Sequence, residues 1–241
     1  MFLLLKSQYS FNIFAIVYKM LLFLWEFSRY FYLERNDRFT ISMVDLYPCL
    51  TDRTTTTPLD PVYFYQDTWA SGKIFQNHPT CHYDVGSSVK TIGIISQLIP
   101  VTMVDIRPID LLLPGLSFKE GSILELPFVD GSIESISSLC VVEHIGLGRY
   151  GDPLDQFGSD KAMKELIRVT KSNGFIYFTV PIESKNRVYF NGYRSFTRQY
   201  IIDAFKSCEL LEERYIYGKS LTESHDPQSD NGIGLFMFRK R

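Results

Sequence analysis

The apolar and polar positions of the chain fall into three successive patterns. In residues 2–33 apolar and aromatic side chains come in blocks, Phe2–Leu5, Phe11–Val17 and Leu21–Phe27, interrupted by Lys6, Lys19, Glu26 and Arg29. Residues 34–60 are polar, and the run Thr54–Thr57 is followed by Pro58 and Pro61. β-Branched polar residues beside two prolines suit an extended connector and not a helix. From residue 61 onward, short apolar runs of strand length alternate with longer stretches of helical periodicity. That alternation is the signature of βα units and a mainly parallel sheet.

The second of these runs organises the remainder. Thr80–Val85 reads as a short buried strand carrying Asp84, Gly86 and Ser87 form a turn, and a helix is expected from Val89 to Ile99. Such a strand, turn and helix start put free backbone N–H groups and the positive end of a helix dipole at the carboxyl edge of a sheet. Val101–Asp105 is a second apolar run ending in an acid, placed where a carboxylate can accept hydrogen bonds from both hydroxyls of a ribose. Further strands are expected at Ser122–Leu126, at Ile133–Val142 (running into Glu143 and His144), at Gly174–Val180, at Glu209–Tyr217 and at Gly234–Arg239. Helices are expected over Tyr63–Phe75, over Lys161–Thr170 with Ala162, Leu166 and Val169 on one side, and over Thr197–Phe205 with Thr197 as N-cap. Leu221–Asn231 reads as a mobile polar loop. The expected fold is α/β and Rossmann-like, a mainly parallel sheet with helices on both faces, preceded by an aromatic N-terminal helical arm. The domains are residues 1–60, arm and linker, and residues 61–241.

Composition narrows the function. Of 241 residues 45% are hydrophobic and 22% charged, enough for a generous core. A net charge of −2 and a pI near 6.1 give no electrostatic footprint for a nucleic-acid backbone. The four cysteines, Cys49, Cys81, Cys140 and Cys208, are scattered without a C-x-x-C pair, so neither a metal site nor a disulfide framework is expected, and a reducing cytoplasmic setting fits. In the arm, Lys19 interrupts the best apolar window, which argues against a membrane span. Two readings of residues 2–33 remain: a peripheral contact with a membrane surface, or a helix packed on the domain or on a partner chain.

Taken in order, Asp84-Val-Gly-Ser87, Asp105, Leu126-Pro-Phe128, Glu143-His144 and Glu165–Gly174 resemble the motifs of class I S-adenosylmethionine-dependent methyltransferases. The segment Ser138–Asp155 more narrowly resembles an uncharacterised family named for Caenorhabditis proteins of unknown function. The resemblance covers roughly residues 60–241. It implies S-adenosyl-L-methionine as cofactor: Asp84, Gly86 and Ser87 at its methionine end, Asp105 on the ribose, Ile123 and Leu124 flanking the adenine, and Glu143 and His144 beside the transferring methyl group. Two positions depart from the pattern. Ser88 stands where a second glycine is usual, and Ser122 where an acid is usual before the adenine loop.

Residue chemistry suggests the remainder. A histidine titrates near neutral pH and can take a proton from an acceptor during methyl transfer; the bland alternative is that Glu143 and His144 cap a loop or pair with each other. Arg149, Tyr150 and Asp152 lie on a glycine-hinged loop, the kind of segment that carries specificity. Arg149 either meets an anionic group of the acceptor or pairs with Asp152 or Asp155. Asn191 and Arg194, beyond the fifth strand, suit a small polar or glycan-like acceptor. A non-catalytic methyltransferase-like module that binds a partner or membrane surface is the competing reading, motivated by Ser88, Ser122 and the apolar arm. A nucleotide-dependent oxidoreductase is the third.

Overall fold

The computed structural model describes residues 13–33, 36 and 38–241. They form two compact units, one ending at Leu59 and one spanning Asp60–Arg241. In the first unit, helix α1 (Ile13–Phe31) has no buried residue. Arg29 lies 4.9 Å over the Trp25 ring, and Glu26 pairs with Arg53 at 2.5 Å. Among its described residues the connector has no regular element besides a 3-10 turn at Met43–Asp45, capped by Ser42. No described helix is long and apolar enough to cross a membrane. The expectation for residues 2–12 lies outside the described residues.

The second unit opens with α2 (Pro61–Gln76). Asp60 caps it by accepting from the N–H groups of Val62 and Tyr63, and Pro61 occupies a first-turn position that needs no donor. There follow β1 (His82–Val85), α3 (Val89–Ile95), β2 (Val101–Asp105), β3 (Leu116–Glu120), β4 (Ile133–Leu139), α4 (Gly158–Val169) and β5 (Thr170–Ile182). The chain closes with a β6–β7 hairpin (Arg187–Tyr189 and Tyr193–Ser195), α5 (Arg198–Ala204), β8 (Cys208–Tyr217), β9 (Ser220–Thr222) and β10 (Gly232–Lys240). The main sheet has the order β3-β2-β1-β4-β5-β10-β8-β9. Strands β3 to β5 pair in parallel, and β10 runs antiparallel between β5 and β8.

Successive strand residues load opposite faces of the sheet. Met103, Tyr177, Leu235 and Met237 pack with Trp69, Ile74 and Ile92 of α2 and α3. Their neighbours Val104, Phe178, Phe236 and Phe238 pack with Met163 and Leu166 of α4, Ile201 of α5 and Phe205 just after it. Burial on both faces is why these strands read as continuous apolar runs.

Three sequence expectations are corrected. The third strand is Leu116–Glu120, not Ser122–Leu126, which instead makes a tight turn closed by an isolated Ser122–Glu125 bridge. The helix after Gly86 ends at Ile95, where Ser96 caps it and turns the sequence toward β2. The segment 221–231 is not loop throughout: Leu221 and Thr222 belong to β9, and beyond them Asp230 accepts from Ser184 and pairs with Arg187 at 3.1 Å, while Asp226 N donates to the Tyr217 hydroxyl at 2.9 Å.

Candidate active site

The β1–α3 turn needs a glycine. Gly86 has φ +71°, and a Cβ there would stand 3.0 Å from Val141 Cγ1 and 3.9 Å from Asp105 Oδ2. Only a residue without a side chain lets the turn lie against the ends of β4 and β2.

Behind this turn runs a buried polar chain. Asp84 is fully buried and accepts from Ser87 N at 3.0 Å, Ser87 Oγ at 2.6 Å and Ser137 Oγ at 2.5 Å. Ser87 Oγ in turn accepts from Leu139 N at 3.0 Å. His82 bridges Ser135 at 2.8 Å and Ser137 at 2.9 Å. Since Ser137 gives its proton to Asp84, its oxygen takes one from His82 Nε2–H, and the other ring nitrogen accepts from Ser135. Burial pushes the Asp84 carboxyl up to about 6 and the His82 imidazole down to about 3. Asp84 and Ser87 therefore hold the turn from behind, and neither lines the cavity in front of it.

That cavity is a cleft of about 100 Å³ that opens at the carboxyl ends of β1, β2 and β4. Its walls include Gly86, Asp105, Arg107, Ser122, Ile123, Leu124, Cys140, Val141, His144, Tyr150 and Asp152. Asp105 Oδ1 accepts from Arg107 N at 2.9 Å, and the Arg107 guanidinium lies alongside at 3.3 and 3.4 Å. The turn at Ile123 and Leu124 is fastened to α4 by Glu165, which accepts from Leu126 N at 2.8 Å, and by Arg168, which donates to Leu126 O at 3.0 Å. Ser122 Oγ is used locally, accepting from Leu124 N at 3.2 Å.

His144 stands on a 3-10 turn, Val142–His144, just past β4. Its Nδ1 is 2.7 Å from Gly192 O in the β6–β7 hairpin. A carbonyl only accepts, so Nδ1 carries the proton and Nε2 keeps its lone pair. Arg149 Nη1 correspondingly donates to Gly192 O at 3.1 Å and not to Nδ1, and it stands 3.5 Å from the unprotonated Nε2. Burial first, with Arg149 nearby, pushes His144 down to about 4. Glu143 is buried and burial pushes it up to about 8. Its Oε1 lies 3.7 Å from His144 Nε2. At neutral pH both groups are uncharged, so this contact is no ion pair.

The loop after His144 folds on itself. Asp152 accepts from Gly146 N at 2.5 Å and from Tyr150 N at 3.3 Å. Gly146 has φ +82°, and a Cβ there would collide with Asp155 O at 2.1 Å. The Tyr150 ring lies edge-on to His144 with centroids 5.7 Å apart, and the guanidiniums of Arg107 and Arg149 stand over it at 4.7 and 5.0 Å. Asp155 pairs with Lys161 at 2.6 Å, so Arg149 has neither expected acid as its partner. Arg194 is buried, donating to Ile145 O, to Ser159 Oγ at 3.1 Å and to Asp155 O at 3.0 Å. It clamps both ends of the loop from behind. Asn191 sits in the hairpin turn at φ +60°, beside the Gly192 carbonyl that orients His144.

Residues given no individual site role in the sequence reading complete the site. Cys140, at φ +54°, lines the cavity with its Sγ 3.5 Å from Thr179 Oγ1. Thr179 Oγ1 also lies 2.6 Å from Gln66 Oε1, bringing α2 to this edge. Tyr63 of α2 feels Cys140, Tyr150 and Glu143, and burial raises its pKa. The aromatic run from Tyr63 was the one signal for these. Among the described residues, no group of three or more His, Cys, Asp or Glu is placed to hold a metal ion.

Residues 128–214 match the family described as "Caenorhabditis protein of unknown function, DUF268". No curated protein sequence matches the chain. Among solved structures, the chain is similar to the [4+2]-cyclase SpnF at 12% identity and TM-score 0.54, covering 72% of this chain and 81% of that one. A putative sarcosine dimethylglycine methyltransferase from Galdieria sulphuraria has 16% identity and TM-score 0.54, covering 73% and 86%. The 1,6-didemethyltoxoflavin-N1-methyltransferase of Burkholderia thailandensis, solved with S-adenosylhomocysteine bound, has 13% identity and TM-score 0.51, covering 77% and 93%. The domain has the Rossmann-like fold of class I methyltransferases. SpnF, a [4+2]-cyclase, illustrates that this fold alone does not fix a reaction.

Proposed function

We propose that the protein is an S-adenosylmethionine-dependent methyltransferase acting on an oxygen or nitrogen atom of a small polar or glycan-like acceptor. The observation that carries this reading is one cavity at the carboxyl edge of a parallel sheet that gathers the open Gly86 turn, Asp105 at the end of β2 and the unprotonated Nε2 of His144. The cradle at Gly86, which a Cβ would fill, suits close backbone approach by a ligand. In this assignment Gly86 and Cys140 take the methionine end, Asp105 holds the ribose, and Ile123 and Leu124 flank the adenine. The cofactor, when bound, supplies an activated methyl group.

The remaining chemistry belongs to the chain. Tyr150, on the loop held by Asp152 and Arg194, lies edge-on to His144 and walls that side of the reacting atoms. His144, held by Gly192 O, presents Nε2 to an acceptor O–H or N–H and takes its proton. With a pKa near 4 it stays in the accepting form throughout the neutral range, although as a weak base it suits an acceptor whose proton is lost late. Arg149 and Asn191 stand on the acceptor side.

Calorimetric titration with S-adenosylhomocysteine tests the reading, with Asp105→Ala as its control. The parent should bind. The variant should lose a charge-assisted contact of about 1.5–3 kcal/mol, tenfold or more in affinity, while its unfolding midpoint falls only by the Arg107 cap. No heat and no thermal shift for the parent would remove the cofactor from the account.

A further inference from the structure

Glu143 is the one acid of the site whose chemistry the geometry leaves open. It is buried, and its Oε2 has no hydrogen-bond partner among the described residues. An orphaned buried carboxyl oxygen is costly and calls for an explanation. His144, which lines the cavity, brings Nε2 to 3.7 Å from Oε1, and Cys140, three residues before Glu143 in the chain, lines the same cavity. The carboxyl therefore lies one side chain from the place assigned to the charged end of the methyl donor. The other groups facing it are Arg149 and the Tyr63 hydroxyl, with Asp67 acting on Cys140 from α2.

Resting on the cofactor reading above, we propose that Glu143 is the counter-ion of the donor's cationic end: protonated in the free protein, it releases its proton to solvent when an ammonium- or sulfonium-bearing ligand binds beside it. The balance is simple. The O–H bond of the carboxyl breaks, the proton passes to buffer, and the carboxylate left behind neutralises a positive charge that would otherwise enter a dry site unpaired. The neighbours are poor alternative sources. His144 is already unprotonated at neutral pH, and burial holds the thiol of Cys140 and the phenol of Tyr63 above their ordinary range.

The test is calorimetry of S-adenosylhomocysteine binding at pH 7 in phosphate and in Tris, buffers of different ionisation enthalpy. The difference in apparent enthalpy should correspond to nearly one proton released per ligand, and the number should fall as pH rises through about 8, where the free carboxyl is already ionised. Adenosine, which lacks the amine, should bind without release. Glu143→Gln should abolish the buffer dependence, and Cys140→Ser should keep it. Equal enthalpies in both buffers for the parent, or undiminished release from Glu143→Gln, overturns the assignment while leaving cofactor binding intact. If Glu143→Gln does not fold, the parent's pH series decides alone. Absence of any binding by the parent overturns the cofactor reading, and this one with it.

Discussion

Replacing Asp84 by alanine separates a residue that holds a ligand from one that holds the ligand's seat. Three donors converge on this carboxylate: Ser87 N, Ser87 Oγ and Ser137 Oγ. The two hydroxyls can rotate toward other acceptors, but the N–H of Ser87 is fixed by the turn. One buried donor left without an acceptor costs about 1–3 kcal/mol, which sets the destabilisation expected at pH 7. The pH dependence is the sharper signature. Burial raises the folded carboxyl to about 6, against an ordinary value of 3.8. Between these two values the folded state binds a proton that the unfolded state does not, so the group adds stability as pH falls, about 1.4 kcal/mol per unit or roughly 3 kcal/mol in all. His82 works in the opposite direction. Its folded value of about 3 lies below the ordinary 6.5, so its contribution is present above 6.5 and is lost as pH falls toward 3. In the parent the two slopes nearly cancel from pH 6 to pH 4. In Asp84→Ala the loss from His82 stands uncompensated, and the destabilisation grows by roughly 3 kcal/mol between pH 7 and pH 4. Urea unfolding at the two pH values, with S-adenosylhomocysteine titration alongside, measures this. A cost that shrinks in acid, as for an ordinary ion-paired carboxylate, or lost binding with an unchanged unfolding midpoint, would refute the reasoning.

Two other substitutions probe the same scaffold. Gly86→Ala forces an L residue to φ +71° with its Cβ 3.0 Å from Val141; stability should fall by about 1–2 kcal/mol, and S-adenosylhomocysteine affinity by tenfold or more, as read by thermal melting and calorimetry. Arg194→Ala leaves Ile145 O, Asp155 O and Ser159 Oγ without their donor, for an expected loss of about 3 kcal/mol in urea unfolding. Arg194→Lys should recover less than half of it, since one ammonium cannot span the two ends of the loop.

Much of the domain was legible because strands such as β2, β5 and β10 carry long apolar runs, as strands covered on both faces do. Val101–Asp105 has the bounds its composition announced. The third strand was misread for the converse reason. Leu116-Ser-Phe-Lys-Glu120 lies at the sheet edge and alternates weakly, whereas Ile123 and Leu126, which look strand-like, are turn residues pointing into the core. The β6–β7 hairpin carried a visible signal in Asn191-Gly192, a turn dipeptide between short alternating runs, yet its role is not local: it supplies the carbonyl that sets the His144 tautomer from 48 residues away. At the site, the resemblance pointed to residues of which Gly86, Asp105, Ile123, Leu124 and His144 line one cavity, together with Tyr150 and Asp152 of the following loop. It could not tell that Asp84, Ser87 and Arg194 serve from behind, because an acid, a serine or an arginine reads the same in sequence whether it meets a ligand or a backbone atom.

The buried polar chain also answers a question that the apolar strands leave open. A strand greasy on both sides can slide past its neighbour by one or two residues and still bury the same kinds of side chain, so hydrophobicity alone defines no unique alignment. His82 and Asp84 on β1 meet Ser135 and Ser137 on β4 only in the observed pairing, Asp84 opposite Ser137. Any slip strands an imidazole and a carboxyl in a dry interior at several kcal/mol. These four side chains act as alignment marks between the first strand and the centre of the sheet. The Gly86 turn arrives opposite Val141, and not a residue early or late, because polar atoms make the wrong alignments expensive.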